Sequence, residues 1–387
     1  MGATGARPAE EDAGVLGEAL GVPPERILPF SREPLGRGTV AGFHVVDHDR
    51  DGEPLLYYLD TSRLPVVRET GLASDGSTTP EARVWLHPAD PHLPALPAVA
   101  FAHAASSLLA RAGLAASGEP EIVGYRPGRR AVLRIATDAG RVWVKVVRPS
   151  RSARIARAHE ACRRAGLPVP EVPAWSPEGV LLIADAAGRP AADVAWDPDD
   201  LLRQVDALRA RIDAVDVHDA ARGVAGRLDW YASRLSGSPR AQRVADGARR
   251  LLMSAGDRPQ RIVHGDLHFG QLFLDEEHRV RGLVDVDTLG RGDAAEDAAA
   301  FLAHATASAL ISPDLVRDRV WRLADAAVER WGGDPAARAL GAVHLLGHAL
   351  GAADRGAHAG AEDLLRAAGA VVEGRAPSSA AGEGDGV

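Results

Sequence analysis

The chain has 387 residues, 46% of them apolar and 25% charged, which is enough for a globular protein of two or three domains with a sizeable core. A net charge of −8 argues against a protein that coats nucleic acid or an anionic membrane, and 4% aromatic residues argue against a base-stacking surface. The single cysteine, Cys162, excludes an intramolecular disulfide and fits a reducing compartment. With no apolar stretch of about 18 residues and no signal-peptide core, we expect a cytoplasmic protein without a membrane span.

The first part of the chain, residues 1–97, is predicted to be a small α+β cap region. A short helical segment precedes strand patterns at GFHVVDH, PLLYYLDT and ARVWLH. The proline-rich stretch HPADPHLPALP then predicts a linker or a rigid turn, and a helix is expected at 99–112.

Residues 98–188 have the pattern of an antiparallel sheet with one helix. The segments PEIVGYR, RAVLRIAT and RVWVKVV are separated by the turn residues Pro127-Gly128 and Asp138-Ala139-Gly140, which predicts a three-stranded meander. The helix RSARIARAHEACRRAG follows, and a further strand is expected at GVLLIAD.

Residues 189–374 are predicted to be mostly helical, as in LLRQVDALRARIDAV, whose apolar residues recur on one face. A short β island interrupts the helices, with the sequence RIVHGDLHFGQLFL followed by RVRGLVDV. The tail at 375–387 is rich in Gly, Ala and Ser, and we expect it to be disordered.

One predicted strand carries the only lysine of the chain, Lys145, whereas the other 44 basic residues are arginine. Lysine presents a compact point charge and arginine a broad planar fork, so the two are not interchangeable. A lone lysine in an apolar strand therefore indicates either a specific ligand or a chance survivor of an arginine-rich composition.

The β island concentrates polar side chains in loops between apolar strands, which is where catalytic groups are commonly held. His264, Asp266 and His268 could be proposed as zinc ligands, but their alternate spacing in a turn disfavours convergence on one ion. Oxygen donors suit a hard ion such as Mg²⁺ better than zinc. The oxygen-rich set in the island consists of Asp266, Gln271, Asp285 and Asp287.

Phosphoryl transfer requires a base for the attacking hydroxyl, amide and carboxylate ligands for Mg²⁺, and a strand lysine held by a helix glutamate. The chain supplies these groups in the required order. They are Lys145, Glu160, Asp266, Gln271 and Asp285.

The motifs HGDLHFGQ and GLVDVD resemble the catalytic signature of the aminoglycoside phosphotransferase and choline kinase superfamily, small-molecule relatives of the protein kinases. The resemblance covers roughly residues 119–370. It implies that Asp266 is the catalytic base, that Asp285 is the principal Mg²⁺ ligand and that Asp287 is a helper acid. Asp297 resembles the acid that supports the catalytic loop from a following helix, although a plain capping or solvated carboxylate is the alternative.

Two places depart from the usual pattern of this superfamily. Gln271 stands where most members have asparagine, a variant similar to that of the maltokinase and glucosamine kinase branch, whose N-terminal cap domain would explain residues 1–97. The nucleotide loop GYRPGRRAVLRI is no G-x-G-x-x-G, although Gly124 and Gly128 leave backbone N–H groups for phosphate. Arg126, Arg129 and Arg130 are further candidates for phosphate contact or a solvated hairpin face.

By this resemblance the fold is α+β and bilobal, with an antiparallel-sheet N-lobe, a mostly helical C-lobe and the cap in front. We expect transfer of the γ-phosphoryl of ATP, with GTP as an alternative donor, to a hydroxyl of a sugar, an amino sugar or an aminoglycoside in the presence of Mg²⁺. The adenine would bind near Ile183 and Asp185 through backbone groups. The alternatives are a catalytically silent nucleotide-binding module and a kinase of a non-sugar metabolite, while a short segment after Asp285 disfavours a protein kinase.

The nature of the acceptor depends on charges that the sequence cannot locate. Asp293, Glu296 and Glu362 are candidate acids for a cationic acceptor. His344 and His348 lie four residues apart in AVHLLGHAL without the Glu of a zinc motif, so we interpret them as packed or cleft-lining histidines. No nucleic acid or membrane partner is expected.

Overall fold

The structure is a computed structural model that describes residues 9–46, 54–74, 80–221 and 223–381. The chain divides into two compact units. The first comprises Met1–Ala156 with Glu171–Asp185, and the second comprises Arg157–Pro170 with Ala186–Val387. The last crossing between the units, after Asp185, lies close to residue 188, where the sequence predicts the end of the N-lobe.

The first unit begins with a helix on an antiparallel sheet. The elements are α1 (Ala9–Leu20), β1 (Ile27–Leu35), β2 (Gly38–Val45), β3 (Leu55–Asp60), β4 (Leu72–Ala73) and β5 (Arg83–Leu86). The five strands are ordered β1-β2-β3-β5-β4. Leu16 of α1 is fully buried in one cluster with Phe43 of β2 and Leu59 of β3. These elements form the α+β region that the sequence predicts before residue 97.

A second antiparallel sheet follows in the same unit. Its elements are α2 (Pro97–Ala100), α3 (Ala102–Arg111), β6 (Glu121–Arg126), β7 (Arg130–Thr137), β8 (Gly140–Val147), β9 (Ala174–Trp175) and β10 (Val180–Ala184). The strands are ordered β6-β7-β8-β10-β9, which confirms the predicted meander. Side chains alternate along β7 and β8, so Leu133 and Val144 are buried with Leu109 of α3. The predicted helix at 99–112 is interrupted at Phe101, whose backbone is extended.

A chain of buried polar groups joins the cap sheet to the turn between β6 and β7. The Asp60 carboxylate at the end of β3 lies 2.8 Å from Nε2 of His92, whose backbone N–H donates to Asp90 at 2.9 Å. The other Asp90 oxygen accepts from the Gly128 N–H at 2.7 Å and from the Tyr125 hydroxyl at 2.9 Å. Burial raises the pKa of Asp90, although these hydrogen bonds oppose the shift.

The second unit is mostly helical, as predicted. A helix, α4 (Pro149–Arg164), runs into it from the first unit. Its other helices are α5 (Pro198–Asp213), α6 (Leu228–Arg234), α7 (Pro239–Ala255), α8 (Glu296–Ile311), α9 (Asp314–Trp331), α10 (Pro335–Asp354), α11 (His358–Glu373) and α12 (Ser378–Ala381). Its strands are β11 (Arg189–Pro190), β12 (Gln260–Val263), β13 (Leu272–Leu274), β14 (Val280–Leu283) and β15 (Gly290–Asp293).

Two alanine-rich helices, α8 and α10, form the centre of the second unit. Both are buried on most sides, because small side chains allow close approach of neighbouring helices. A Cβ atom at Gly341 of α10 would lie 3.1 Å from Leu302 of α8, which shows how closely they pack. The β island supplies β12 paired with β15 and a hairpin of β13 with β14, both antiparallel.

The predicted disorder of the tail is wrong for its first part. Residues 378–381 form α12, where Ser378 donates to the Asp325 carboxylate through its backbone N–H at 3.1 Å and its hydroxyl at 2.5 Å. The side chain of Ala380 is buried there, so a short apolar contact and two hydrogen bonds order a segment of low-complexity composition. The remaining residues, 382–387, lie outside the described residues.

Within the described parts of the chain, no helix is both long enough and apolar enough to cross a bilayer.

The polar chain at Asp90 generates a stability prediction. In an Asp90→Ala variant the Gly128 N–H and the Tyr125 hydroxyl lose a buried acceptor, so we expect a loss of about 2–4 kcal/mol in the free energy of unfolding. Chemical denaturation measures it. The matched control is Asp138→Ala, because the exposed Asp138 also accepts a backbone N–H, from Ala115 at 3.0 Å, and its loss should cost less than about 1 kcal/mol. Equal losses in the two variants would contradict the role given to Asp90.

Candidate active site

We call the loop that carries the HGDLHFGQ motif, residues 264–271, the catalytic loop. A buried carboxylate anchors this loop to helix α8. Asp297, in the first turn of α8, accepts the backbone N–H of His264 at 2.9 Å and that of Gly265 at 2.8 Å. Burial raises the pKa of Asp297, and the two N–H donors and the nearby His264 oppose the shift. Of the two interpretations of Asp297, these contacts support the acid that holds the loop.

Gly265 is required by the shape of this loop. Its φ of +82° lies in the region that favours glycine, and an added Cβ would lie 3.1 Å from the Thr288 carbonyl oxygen. This conformation turns the chain directly after β12, so that Asp266 follows the anchored pair of residues.

Three further hydrogen bonds join the catalytic loop to the loop after β14. The His264 ring lies 3.3 Å from the Val284 carbonyl, and the Thr288 hydroxyl donates to the His264 carbonyl at 2.7 Å. The Val284 N–H donates to the Gln271 carbonyl at 3.1 Å. The HGDLHFGQ and GLVDVD motifs, which lie apart in sequence, are therefore adjacent in the fold.

Asp266 carries the carboxylate of the catalytic loop, and 42% of its side chain is exposed. Its Oδ1 lies 3.2 Å from Nε2 of His304, which projects from α8. Burial would raise the pKa of Asp266, but the hydrogen bond from His304 and the electrostatic interaction with that ring outweigh burial and lower the pKa. Asp266 is therefore ionised at neutral pH.

His304 belongs to a cluster of imidazoles that the sequence interpretation did not assemble. The ring of His304 stacks on His268 at 4.5 Å between centroids, and it meets His348 edge-on at 4.7 Å and His344 at 6.1 Å. Burial and the neighbouring imidazoles lower the pKa of His268 and of His348 to about 4, and that of His344 to about 3. These three rings are neutral at physiological pH.

The signal for His304 was present in the sequence but was not used. His304 lies seven residues, about two helical turns, after Asp297, so both point to the same face of α8. The sequence predicts packed or cleft-lining positions for His344 and His348, and their partly buried rings, which contact His304, agree with this prediction.

The predicted metal ligands lie on the two adjacent loops. Gln271 ends a short 3₁₀ turn, is 4% exposed, and its side-chain oxygen accepts the His268 N–H at 3.2 Å. Asp285 adopts a left-handed backbone with φ 63° and ψ 42°, a strained conformation for a residue with a side chain that often marks a functional site. Asp287 is buried in the next turn. Among the described residues, no three His, Cys, Asp or Glu side chains converge as a metal cage.

Three of the four predicted nucleotide-binding residues, Lys145, Ile183 and Asp185, lie in the first unit, and Glu160 lies in the second. Lys145, in the middle of β8, is 7% exposed and lies between Val132 of β7 and Leu181 of β10 in the sheet. Ile183 pairs with Trp143 near the end of β10, immediately before the crossing between the units.

The Asp185 side chain is held by its own sheet. It accepts from the Arg141 guanidinium at 2.6 and 2.9 Å and from the Trp143 indole N–H at 2.9 Å. The expected use of backbone groups at this position is compatible with these contacts, because they engage only the carboxylate.

The structure contradicts the pairing expected of Glu160. Its side chain is 67% exposed, and its ion pair is with Arg164 one turn later in α4. Positions 157, 160 and 164 recur at spacings of three and four residues and are all exposed, so Glu160 lies on the solvent face of the helix. Glu160 was predicted to pair with the lysine because acids are scarce in this arginine-rich helix. Its environment depends instead on the side of the helix on which it lies, which is the exposed one.

The turn between β6 and β7 also departs from expectation. The Gly128 N–H, predicted to be available to phosphate, donates to Asp90, and the Arg129 N–H donates to the Arg126 carbonyl. Arg126 pairs with Glu33 of the cap sheet at 2.9 Å, and Arg129 donates to the Pro34 carbonyl. This turn is bound to the cap sheet rather than open to a ligand.

All three acids proposed for a cationic acceptor have partners within the protein. Asp293 accepts from Arg258 at 3.1 Å, and Glu362 pairs on the surface with Arg240 at 3.3 Å. Glu296 is buried at the start of α8, where it accepts the Val224 N–H at 2.8 Å and lies 3.8 Å from Nε2 of His344. Burial, followed by nearby carboxylates, raises the pKa of Glu296 to about 7.

An ionised, accessible aspartate on an anchored loop, beside a loop with two further aspartates, is the arrangement of a kinase-type phosphotransferase. A family model described as a phosphotransferase enzyme family, APH, matches residues 121–330, more than half of the chain. The chain belongs to this family and is an enzyme that phosphorylates hydroxyl groups. Its fold is the bilobal, protein-kinase-like α+β fold that the sequence predicts.

No curated protein sequence matches the chain significantly. Among solved structures, the macrolide 2′-phosphotransferase MphH from Brachybacterium faecium is 19% identical over 70% of this chain and 97% of its own, with a TM-score of 0.43. A thermostable mutant of aminoglycoside phosphotransferase APH(4)-Ia, in complex with ADP and hygromycin B, is 16% identical over 72% and 98%, with a TM-score of 0.49.

A choline/ethanolamine kinase family protein from Mesorhizobium loti is 18% identical over 68% of this chain and 93% of its own, with a TM-score of 0.45. Similarities of this size carry no argument about the acceptor. The likeness of Gln271 to the maltokinase branch stays a prediction.

Buried Glu296 generates a prediction about pH. Because its folded pKa of about 7 exceeds the ordinary value of 4.5, its contribution to stability is complete below pH 4.5 and is lost as the pH rises through 7. A Glu296→Gln variant still accepts the Val224 N–H but does not ionise. We expect it to be more stable than the wild type at pH 8, by up to about 3 kcal/mol, and to lose this advantage towards pH 5.

Thermal unfolding midpoints at pH 5, 6.5 and 8 measure this difference. The control is Glu362→Gln, on the surface, which should show no such dependence. A pH-independent difference between Glu296→Gln and the wild type would contradict the raised pKa.

Proposed function

We propose that the enzyme transfers the γ-phosphoryl of ATP, in the presence of Mg²⁺, to a hydroxyl of a sugar, an amino sugar or an aminoglycoside, with Asp266 as the base. The observation that carries the proposal is the state of Asp266. Its carboxylate is accessible, ionised and held by His304, on a loop that Asp297 anchors to α8. These are the requirements for a group that orients and deprotonates an acceptor hydroxyl.

Mg²⁺ fits the donor set of the two loops. Gln271, Asp285 and Asp287 offer only oxygen ligands, and the absence of a protein cage among the described residues agrees with an ion that takes one or two carboxylates plus substrate phosphates. The strained backbone of Asp285 supports its role as the principal ligand. When bound, the ion neutralises charge on the transferring phosphates.

Lys145 and the segment after β10 would hold the nucleotide. Lys145 is a buried point charge, which suits contact with the α- and β-phosphates. The Ala184 N–H already donates to the Glu171 carbonyl at 2.8 Å. Adenine recognition near Ile183 therefore falls to backbone groups from Asp185 onward.

In the reaction, Asp266 orients the acceptor hydroxyl in line with the γ-phosphorus and accepts its proton as the new P–O bond forms, while ADP leaves. The charged and dipolar groups of the two loops stabilise the transition state by their fixed positions. A silent nucleotide-binding module would be expected to lack the base, the lysine or the metal acids, and this chain retains them all.

The test is ADP release from ATP and Mg²⁺ in the presence of single acceptors: hexoses, glucosamine, maltose, aminoglycosides, choline and homoserine. We expect one class of acceptor to stimulate turnover and Asp266→Asn to reduce it by about 10²–10⁴-fold. The matched control is Asp216→Asn, since that carboxylate is 92% exposed after α5.

Stimulation by choline or homoserine alone would replace the sugar class with a non-sugar metabolite. ATP binding without any stimulated turnover would favour the silent module. If neither ATP nor Mg²⁺ bound, the roles of Lys145, Gln271 and Asp285 would be wrong.

The solvent-exposed position of Glu160 gives a separate prediction for nucleotide binding. A Glu160→Ala variant should change the KM for ATP by less than about twofold, because an exposed ion pair with Arg164 contributes little. Lys145→Ala, measured in parallel, should raise that KM strongly. A comparable rise in both variants would restore the lysine–glutamate pair that the sequence predicts.

A further inference from the structure

Helix α8 contacts the catalytic loop twice, and the second contact is to the catalytic carboxylate itself. Asp297 holds the loop backbone, and two turns later His304 reaches Oδ1 of Asp266 with its Nε2 at 3.2 Å. Both contacts come from one face of one buried helix, so the position of the carboxylate is set relative to the loop that carries it.

The His304 ring is itself restrained by packing. His268 stacks on it with planes inclined by 25°, and His348 of α10 meets it at 87°. The His304 side chain is 22% exposed, and it is enclosed between the catalytic loop and α10. A restrained imidazole is a suitable support for a second side chain, because little freedom is left for it to lose.

The chemistry of the carboxylate assigns the donor and the acceptor of this hydrogen bond. A carboxylate oxygen only accepts, so Nε2 of His304 must carry the proton. One oxygen of Asp266 is thereby occupied. The other oxygen is left for the acceptor hydroxyl, at a side chain that is 42% exposed.

We propose that His304 is a positioning residue that holds Oδ1 of Asp266 through Nε2–H, so that Oδ2 is presented to the acceptor hydroxyl. The inference rests on the proposed function, because it assumes that Asp266 is the base. The side-chain contacts of His304 are with Asp266 and with the neighbouring imidazoles, so its effect on the reaction passes through Asp266.

His304 also keeps the base ionised. Burial favours the protonated form of Asp266, and the hydrogen bond from His304 is the largest of the effects that oppose burial. The titratable and charged groups that surround this pair come from the catalytic loop, from α8 and α10 and from the turn before α6. They are His268, Glu296, His344, His348 and Arg227, and His264, Asp285 of the loop after β14 and Arg355 act on the rings packed against His304.

The kinetic test compares His304→Leu, which removes the donor, with His304→Gln, whose amide N–H reaches about as far as Nε2. In the leucine variant we expect kcat to fall by roughly 10- to 100-fold with little change in the KM for ATP, less than the loss of the base itself. The acid limb of the pH–rate profile should move to higher pH, since the hydrogen bond that opposes the effect of burial on Asp266 is lost. His304→Gln should recover most of both.

The control on the same helix is Ser308→Ala, one turn beyond His304, which should leave kcat and the pH profile unchanged. A leucine variant with wild-type kcat and an unshifted acid limb would overturn the proposal. So would a loss of kcat without any shift, because that is the behaviour of a merely structural side chain.

A readout independent of turnover separates this inference from the proposed function. Long-range ¹H–¹⁵N spectra of the full chain at neutral pH should give His304 with a protonated Nε2, and Asp266→Asn should change that resonance. A neutral ring protonated at Nδ1 would overturn the proposal even in an active enzyme. If no acceptor stimulates the wild type but the spectra show Nε2–H bound to Asp266, the proposed function fails and the positioning contact stands.

Discussion

The second unit depends on one buried carboxylate. Asp297 satisfies two backbone N–H groups of the catalytic loop from inside a helix that is itself buried on most sides. A buried carboxylate without donors would lower the stability of the fold, and so would buried N–H groups without an acceptor. The Asp297 carboxylate and the two loop N–H groups therefore require each other. Because α8 is packed against α10 through small residues, the loop takes its position from the helical core rather than from its own short strands.

The same logic explains how the cap region meets the sheet that follows it. Three buried side chains form a hydrogen-bonded chain from the end of β3 to the turn at Gly128. They are Asp60, His92 and Asp90. The Gly128 N–H donates to Asp90, so it is not available to a phosphate. A polar network that stabilises the fold thus restricts what this turn can contribute to nucleotide binding.

Local pattern was sufficient wherever the local chain decides the outcome. Turn residues at Pro127-Gly128 predicted the β6–β8 meander, and Lys145 was correctly placed on a strand, since alternation and turn chemistry act within a few residues. The motifs HGDLHFGQ and GLVDVD were also recognisable, because they resemble the signature of the superfamily within a short run of residues. Order in α12 was not predictable, as it comes from Asp325, which is distant in sequence.

Glu160 and His304 show two limits of prediction from local sequence pattern. Glu160 was predicted as a site residue but is exposed, and His304 was not predicted but contacts Asp266. Glu160 had the right residue type on the right helix, yet the helix turns it to solvent, and only tertiary packing decides which face is buried. His304 had no motif to mark it. Its relation to Asp266 follows from a seven-residue spacing that acquires meaning once Asp297 is known to hold the loop.

Under the proposed function, in which Asp266 is the base, its lowered pKa has a consequence for the type of catalysis. A strong base would need a raised pKa, whereas His304 lowers that of Asp266 and keeps it a weak base. In a loose transition state, the P–O bond to the leaving group is largely broken before the acceptor hydroxyl must lose its proton. The enzyme therefore does not need a strong base. An aspartate that is held in one orientation, ionised at every physiological pH and weakly basic is therefore better matched to this reaction than a poised general base would be. The contact with His304 therefore lowers the basicity of Asp266 and, in the proposed reaction, fixes the direction of its carboxylate.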